Sequence, residues 1–133
     1  MSDYDVIVVG AGNAAFAAAV SARENGAQRV LVLEKAPRAQ RGGNTHFSGA
    51  IFRFAFDDVA DLARFVPDAE SQYPGFNRGV QPYPGSAFRD DLMRVTDGRT
   101  EPELSAILID NSRDTVCWLQ DVGHMQFELA LSV

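Results

Sequence analysis

The chain has 133 residues, the size of one ordinary domain, and its 46% hydrophobic and 23% charged residues are typical of globular rather than disordered or fibrous proteins. The 12 basic and 18 acidic residues give a net charge of −6, which argues against the basic surface needed to bind nucleic acid or an anionic membrane. With one cysteine, Cys117, an acidic N-terminus and no long apolar run, we expect a cytoplasmic protein without internal disulfides or membrane insertion.

The first part of the chain, residues 5–34, has the pattern of a βαβ unit. Residues 6–9 are an unbroken run of β-branched side chains, typical of a strand buried on both faces of a parallel sheet. A glycine turn follows, then an alanine-rich stretch up to Gly26, then a second apolar run at residues 30–33. A strand, a glycine turn, a helix and a strand in this order predict an α/β, Rossmann-like fold.

The glycine turn carries the fingerprint of dinucleotide-binding proteins. Gly10 permits the tight turn, and Gly12 lets a pyrophosphate approach the backbone. The small Ala15 at the third position lets the helix pack closely on the sheet. We expect the helix to begin at Asn13 and Ala14, whose free amides then face the phosphates.

An acidic residue, Glu34, ends the second predicted strand, about twenty residues beyond Gly12, where this fold places the ligand of an adenosine ribose. A carboxylate there accepts hydrogen bonds from both ribose hydroxyls and repels a 2′-phosphate. A glycine turn with an unrelated glutamate is the alternative. The joint occurrence of strand, fingerprint, helix and acid favours an ADP-containing dinucleotide.

A second glycine-rich loop covers residues 41–50, shortly after Glu34. Its glycines leave backbone amides free to face an anion, and its polar side chains add further donors. FAD is longer than NAD and needs contacts beyond the pyrophosphate, so this loop favours FAD. An ordinary flexible loop and a nicotinamide-dependent dehydrogenase are the alternatives. The candidate ligands in the loop are Gly42, Gly43, Asn44, Thr45, Ser48 and Gly49.

Three of these segments, residues 6–15, 33–37 and 41–45, resemble the N-terminus of the fumarate reductase/succinate dehydrogenase flavoprotein family. Within that family they are most similar to the FAD-dependent tricarballylate dehydrogenase branch, which residues 88–100 and 114–119 also resemble. The resemblance implies that FAD is contacted by Glu34, Lys35, Gly43, Asn44, Thr45, Ser48 and Gly49.

The resemblance also implies a flavin-dependent oxidoreductase that acts on the carbon–carbon bond of a small di- or tricarboxylate. The substrate, the direction of the reaction, the electron donor or acceptor and the oligomeric state stay open. Membrane-bound members carry FAD covalently on a histidine. Counting back from Gly49 to the corresponding position reaches Gly43, which has no nucleophile, so the flavin is predicted to be non-covalent.

The family is built on a much longer chain, so we expect these residues to be an N-terminal portion of a larger doubly wound fold. The chain alone is then expected to be inactive. The alternative to an enzyme is a non-catalytic dinucleotide-binding module or a truncated fragment.

The second half of the sequence predicts supporting structure. Alternating aromatic residues at 52–56 predict a short strand, whose rings favour core packing over flavin stacking. Residues 66–87 form an excursion rich in loops, with helices expected at about 88–95 and 101–122 and a possible strand at 126–131. Thr100 and Glu103 are the predicted capping box of the longer helix.

The second half offers no catalytic candidate. Cys117 and His124 are interpreted as structural residues, and no cluster has the spacing of metal ligands. His46 is the better candidate of the two histidines for a contact with cofactor or substrate, because it lies in the second glycine-rich loop, but we do not assign it a role.

Overall fold

The computed structural model describes residues 3–130, which form two compact units, an N-terminal unit up to residue 51 and a C-terminal unit from residue 52. The N-terminal unit contains strand β1 (Val6–Val9), helix α1 (Asn13–Glu24) and strand β2 (Val30–Leu33). The two strands are parallel, with Val6 opposite Val30 and Val9 opposite Leu33. Helix α1 packs against both strands.

The expectation that β1 is buried on both faces is wrong for this structure. Val6 and Val8 are half-buried, whereas the alternate side chains of Ile7 and Val9 are 55% and 83% exposed. The reason is that α1 covers a single face of a two-stranded sheet. Elsewhere the local signals agree with the structure, since α1 ends before Gly26, whose φ of +97° suits glycine at a helix end.

The C-terminal unit is mainly helical. A 3-10 helix at Val59–Arg64 is followed by two short helices in the excursion, α2 (Ala69–Gln72) and α3 (Phe76–Gly79). Three longer helices come next: α4 (Gly85–Val95), α5 (Pro102–Asp110) and α6 (Ser112–Asp121). Its core consists of the buried residues Phe65, Ala69, Phe88, Ile109 and Val116.

The predicted helix at 101–122 is two helices that meet at Asn111. The Asn111 side chain donates to the carbonyl of Ile107 at 2.8 Å, a local bond that competes with helical geometry. The hydroxyl of Ser112 in turn donates to Ile109 and accepts from the amide of Ala55. This break places a buried serine where it bonds to another segment.

The predicted strand at 52–56 is reduced to one antiparallel bridge between Phe56 and Tyr83. The amide of Ala55 bonds to the Ser112 side chain and not to a neighbouring strand. The aromatic rings nevertheless form a core, because Phe54 packs on Phe65 with ring centres 5.0 Å apart. The possible strand at 126–131 is absent over residues 126–130, and residue 131 lies outside the described residues.

Candidate functional site

A tight glycine turn joins β1 to α1. Gly10 has a φ of +111°, a left-handed conformation that glycine adopts without strain. Its amide donates to the carbonyl oxygen of Leu33 at 2.6 Å, so the turn is held at the carboxyl end of β2. The ends of both parallel strands and the start of α1 therefore meet at one place, where α/β folds bind their ligands.

The start of α1 has no side-chain cap of its own, because its N-cap residue is Gly12. The first amides of a helix lack partners inside the helix. One of them, the amide of Asn13, donates to Thr45 Oγ1 at 3.1 Å. A hydroxyl from the second glycine-rich loop thus takes the place of an N-cap side chain.

The second glycine-rich loop approaches the glycine turn most closely at Gly12. A Cβ atom added to Gly12 would lie 3.2 Å from both the carbonyl oxygen of Gly42 and Thr45 Oγ1. Any larger residue would therefore push the two segments apart. The bare backbone at Gly12 also fits a bound pyrophosphate, which needs a turn without a side chain.

The second glycine-rich loop is itself an ordered turn. Gly42, with a φ of +102°, leads into a 3-10 helix at Gly43–Phe47. The amide of Thr45 donates to the Gly42 carbonyl at 3.1 Å, and the hydroxyl of Ser48 donates to the Thr45 carbonyl at 3.0 Å. These bonds fix the backbone on both sides of Thr45.

The carboxylate of Glu34 links the glycine turn to the segment after β2. Its Oε2 accepts from the amide of Ala11 at 2.9 Å, and its Oε1 accepts from the amide of Ala36 at 2.8 Å. Bonds from the amides of Ala36 and then Ala11, with smaller contributions from Gly42 and Lys35, hold the pKa of Glu34 below its ordinary value, although partial burial opposes this. Glu34 is therefore a carboxylate at neutral pH, as an acceptor for hydroxyl groups must be.

The structure brings together the central members of the predicted set. Gly10, Gly12, Asn13, Glu34 and the Gly42–Thr45 turn are joined through the contacts above. The remaining candidates are exposed: Ala14 at the start of α1, Lys35 after β2, and Ser48 and Gly49 in the second glycine-rich loop, as are Gly43 and Asn44 within the turn.

Two residues of this arrangement were missed by the sequence analysis, Ala11 and Ala36, which take part through their backbone amides. Ala36 lies two residues after Glu34, so a hydrogen bond from its amide to the Glu34 carboxylate is a local interaction that could have been predicted. The bond to Ala11 spans 23 positions of sequence and has no local signature.

The C-terminal unit offers no comparable cluster. Among residues 3–130, no group of three or more His, Cys, Asp or Glu side chains could hold a metal ion. Two arginines that could clamp a carboxylate are exposed and paired, Arg94 with Asp91 and Arg99 with Asp97. Cys117 is half-buried within α6.

A parallel strand pair, a glycine turn that opens a helix, and a carboxylate at the end of the second strand define the class of α/β proteins that bind dinucleotides. The model of a known family, described as "FAD binding domain", matches residues 5–130. The chain belongs to this family, and FAD is its cofactor.

Curated relatives agree with this assignment. The chain is 29% identical over 119 residues to "Fumarate reductase (cytochrome)" of Shewanella frigidimarina, covering 90% of this chain and 18% of that protein. It is 30% identical over 122 residues to "NADH:fumarate oxidoreductase" of Klebsiella pneumoniae, covering 92% of this chain and 11% of that protein. Both relatives support the flavoprotein family that the sequence resembles, and the chain spans less than a fifth of the length of each.

No solved structure matches the chain. Within the part of the chain that the structure describes, no helix has the length and apolar character needed to cross a membrane.

Proposed function

We propose that this chain is the FAD-binding part of a flavin-dependent oxidoreductase that acts on the carbon–carbon bond of a small di- or tricarboxylate. The observation that carries the proposal is the junction of the glycine turn, Glu34 and the second glycine-rich loop, in a chain whose family binds FAD. Bound FAD supplies the hydride chemistry, and the protein binds and orients it.

Each part of the site has a proposed role. Gly10, Gly12, Asn13 and Ala14 bind the pyrophosphate through the glycine turn and the start of α1. Glu34 and Lys35 lie on the adenosine side, where the carboxylate accepts from the ribose. The second glycine-rich loop holds the pyrophosphate and ribityl end through Gly42, Gly43, Asn44, Thr45, Ser48 and Gly49.

The substrate class rests on two kinds of support. Both relatives carry the name of fumarate, a dicarboxylate. The sequence resemblance to tricarballylate dehydrogenases extends the class to tricarboxylates. One relative is named for a cytochrome and the other for NADH, so the proposal leaves the electron partner open. A cytoplasmic location stays part of the proposal, supported by the single Cys117, which cannot form an internal disulfide.

The first experiment compares cofactors. FAD, NAD and NADP are titrated into the purified chain, and binding is followed by calorimetry. We expect detectable binding of FAD and weaker or no binding of NADP, whose 2′-phosphate meets the Glu34 carboxylate. Tighter binding of NAD than of FAD would favour the nicotinamide-dependent alternative.

The second experiment tests the chemistry and the attachment of the flavin. The full protein product of the gene is assayed with fumarate, succinate and tricarballylate, using artificial electron carriers. Turnover of at least one of these is expected, and activity with none would contradict the proposed substrate class. On denaturing gels the protein band should show no flavin fluorescence, since we propose non-covalent FAD.

A further inference from the structure

We propose that Thr45 is a positioning residue for the dinucleotide site, since its hydroxyl caps helix α1 from the second glycine-rich loop and aligns that loop with the glycine turn. This inference rests on the dinucleotide site proposed above. It assigns Thr45 a task beyond that of a cofactor ligand, namely to hold two parts of the site in register.

The first observation is the direction of the hydrogen bond. Thr45 Oγ1 accepts from the amide of Asn13 at 3.1 Å. A hydroxyl that accepts in this way keeps its own proton to donate. The amide at the start of α1 is used by Thr45, and the Thr45 O–H becomes the hydrogen-bond donor in its place. A hydroxyl that already accepts a hydrogen bond is a stronger donor.

The second observation is the absence of another cap. Gly12 has no side chain to cover the first turn of α1. A Cβ atom there would lie 3.2 Å from the Gly42 carbonyl oxygen and from Thr45 Oγ1, a tight contact that these neighbours would have to relieve by shifting. The helix start and the second loop therefore have complementary shapes at this point.

The third observation is that the Thr45 backbone is hydrogen-bonded on both sides. Its amide is bonded to Gly42 and its carbonyl to Ser48. The hydroxyl is thus presented from a fixed turn, 32 positions along the chain from the amide that it meets. A hydroxyl carried on a backbone that is bonded on both sides sets the position of its partner, because moving the turn would break several hydrogen bonds at once.

The test uses the full chain, with ADP and then FAD as probes, in nuclear magnetic resonance titrations. Thr45→Val keeps the shape of the side chain but removes the hydroxyl, and Thr45→Ser keeps the hydroxyl. Thr115→Val is the control for losing a threonine hydroxyl elsewhere in the chain, because the Thr115 hydroxyl donates to the carbonyl of Asn111 in the first turn of α6, in the other unit.

We expect Thr45→Val to shift the amide resonance of Asn13 and to weaken ADP binding about threefold to tenfold, the scale of one lost hydrogen bond. Thr45→Ser should restore both within about twofold. Thr115→Val should change neither. Rescue by serine separates positioning by the hydroxyl from a general loss of packing, which serine would not repair.

Three results would overturn the inference alone, and a fourth would overturn the dinucleotide site together with it. An unchanged Asn13 resonance in Thr45→Val, or equal ADP affinity of Thr45→Val and the wild type, would do so while leaving the dinucleotide site intact. If Thr45→Val fails to fold, hydrogen exchange in the wild type is the test. Rapid exchange at the Asn13 amide would then overturn the inference. If the wild-type chain shows no resonance shift with millimolar ADP or FAD, the dinucleotide site itself fails, and this inference with it.

Discussion

Glu34 bonds to the protein backbone through both carboxylate oxygens, which accept from the amides of Ala11 and Ala36. The amides of Gly42 and Lys35 contribute more weakly. In the proposed site the ribose hydroxyls of an adenosine share these oxygens, each of which has about two acceptor positions. In the proposed site, one residue thus connects the order of the glycine turn with the recognition of the nucleotide.

The first prediction concerns Glu34→Gln. The amide has one acceptor oxygen, and its NH2 group would face the backbone donor of Ala11 or Ala36, so we expect FAD affinity to fall by about tenfold or more. Flavin fluorescence titration measures the change. Glu70→Gln is the matched control, because Glu70 also accepts from two backbone amides, those of Gly75 and Asn77. Equal FAD affinity of Glu34→Gln and the wild type would remove Glu34 from the site.

At the scale of elements, the end of α6 depends on the absence of a side chain at Gly123. A Cβ atom there would lie 2.6 Å from the carbonyl oxygen of Leu119, a backbone atom that has no room to move aside. Gly79, at the end of α3, has nothing within 4 Å of the same position. The two glycines can therefore be compared directly, because an added side chain is crowded at Gly123 and unobstructed at Gly79.

We therefore predict that Gly123→Ala destabilises the chain by about 1–3 kcal/mol, the usual cost of overpacking. Gly79→Ala should change the free energy of unfolding by less than about 1 kcal/mol, because alanine only restricts the unfolded chain. Chemical denaturation measures both free energies of unfolding, provided that the variants and the wild type have equal m-values. A Gly123→Ala protein as stable as Gly79→Ala would show that the end of α6 relaxes freely.

The bridge between Phe56 and Tyr83 is tied to α4 by a polar network. Asp91 accepts from Arg94, Arg53 and the Tyr83 hydroxyl, each at 2.9 Å. The bonds from Arg94 and then Tyr83 hold the pKa of Asp91 below its usual 3.8. Burial and the bond to Asp91 raise the pKa of Tyr83, so the phenol stays protonated and keeps donating.

The sign of the resulting pH dependence follows from the lowered pKa of Asp91. Its contribution to stability is present above the pKa of the unfolded chain and is lost as pH falls through the lower pKa of the folded chain. We predict that the wild type loses more free energy of unfolding between about pH 5 and about pH 3 than Asp91→Asn does. The exposed neighbour variant Asp90→Asn is the control. Parallel acid profiles for Asp91→Asn and the wild type would contradict the role of the network.

At the scale of the whole molecule, the candidate FAD ligands all lie in the N-terminal unit. They comprise the glycine turn, Glu34 and the second glycine-rich loop, which are assigned to the adenosine, pyrophosphate and ribityl parts of FAD. Among the described residues of the C-terminal unit we assign no acid–base group. A flavin held at one end leaves its reactive ring in water, without the orientation that hydride transfer needs.

We predict that these 133 residues bind FAD weakly and show no turnover with fumarate, succinate or tricarballylate. Steady-state assays with artificial electron carriers, run beside the full protein product of the gene, measure this. Turnover by the 133 residues alone would mean that the catalytic groups lie among them.

Much of the N-terminal unit could be predicted because its signals are local. The apolar runs at Val6–Val9 and Val30–Leu33 and the alanines of α1 specify their own secondary structure. The glycine spacing specifies the turn between them, since only glycine adopts the φ of +111° at Gly10 without strain. The assignment to an FAD-binding family rested on these motifs together with the second glycine-rich loop at residues 41–50 and the family resemblance, and the family match agrees with it.

The predictions failed where local signals compete with distant partners. The aromatic alternation at 52–56 suits a strand, but Ala55 bonds to Ser112, which lies 57 positions away. The apolar face of residues 101–122 suits one helix, but Asn111 turns its side chain onto Ile107 and divides it. Thr100 was expected to cap α5, whereas Glu101 is the N-cap and accepts from the amide of Leu104.

The sequence by itself determined the βαβ order, the two glycine-rich segments and the presence of a carboxylate after β2, because each depends on residues close together in the chain. Tertiary structure alone decided that Glu34 reaches the amide of Ala11 and that Thr45 caps α1 at Asn13. Those bonds join groups that sequence separates by more than twenty positions, so no local preference encodes them. They form because parallel strands bring their carboxyl ends, and the loops that follow, to the same edge of the sheet.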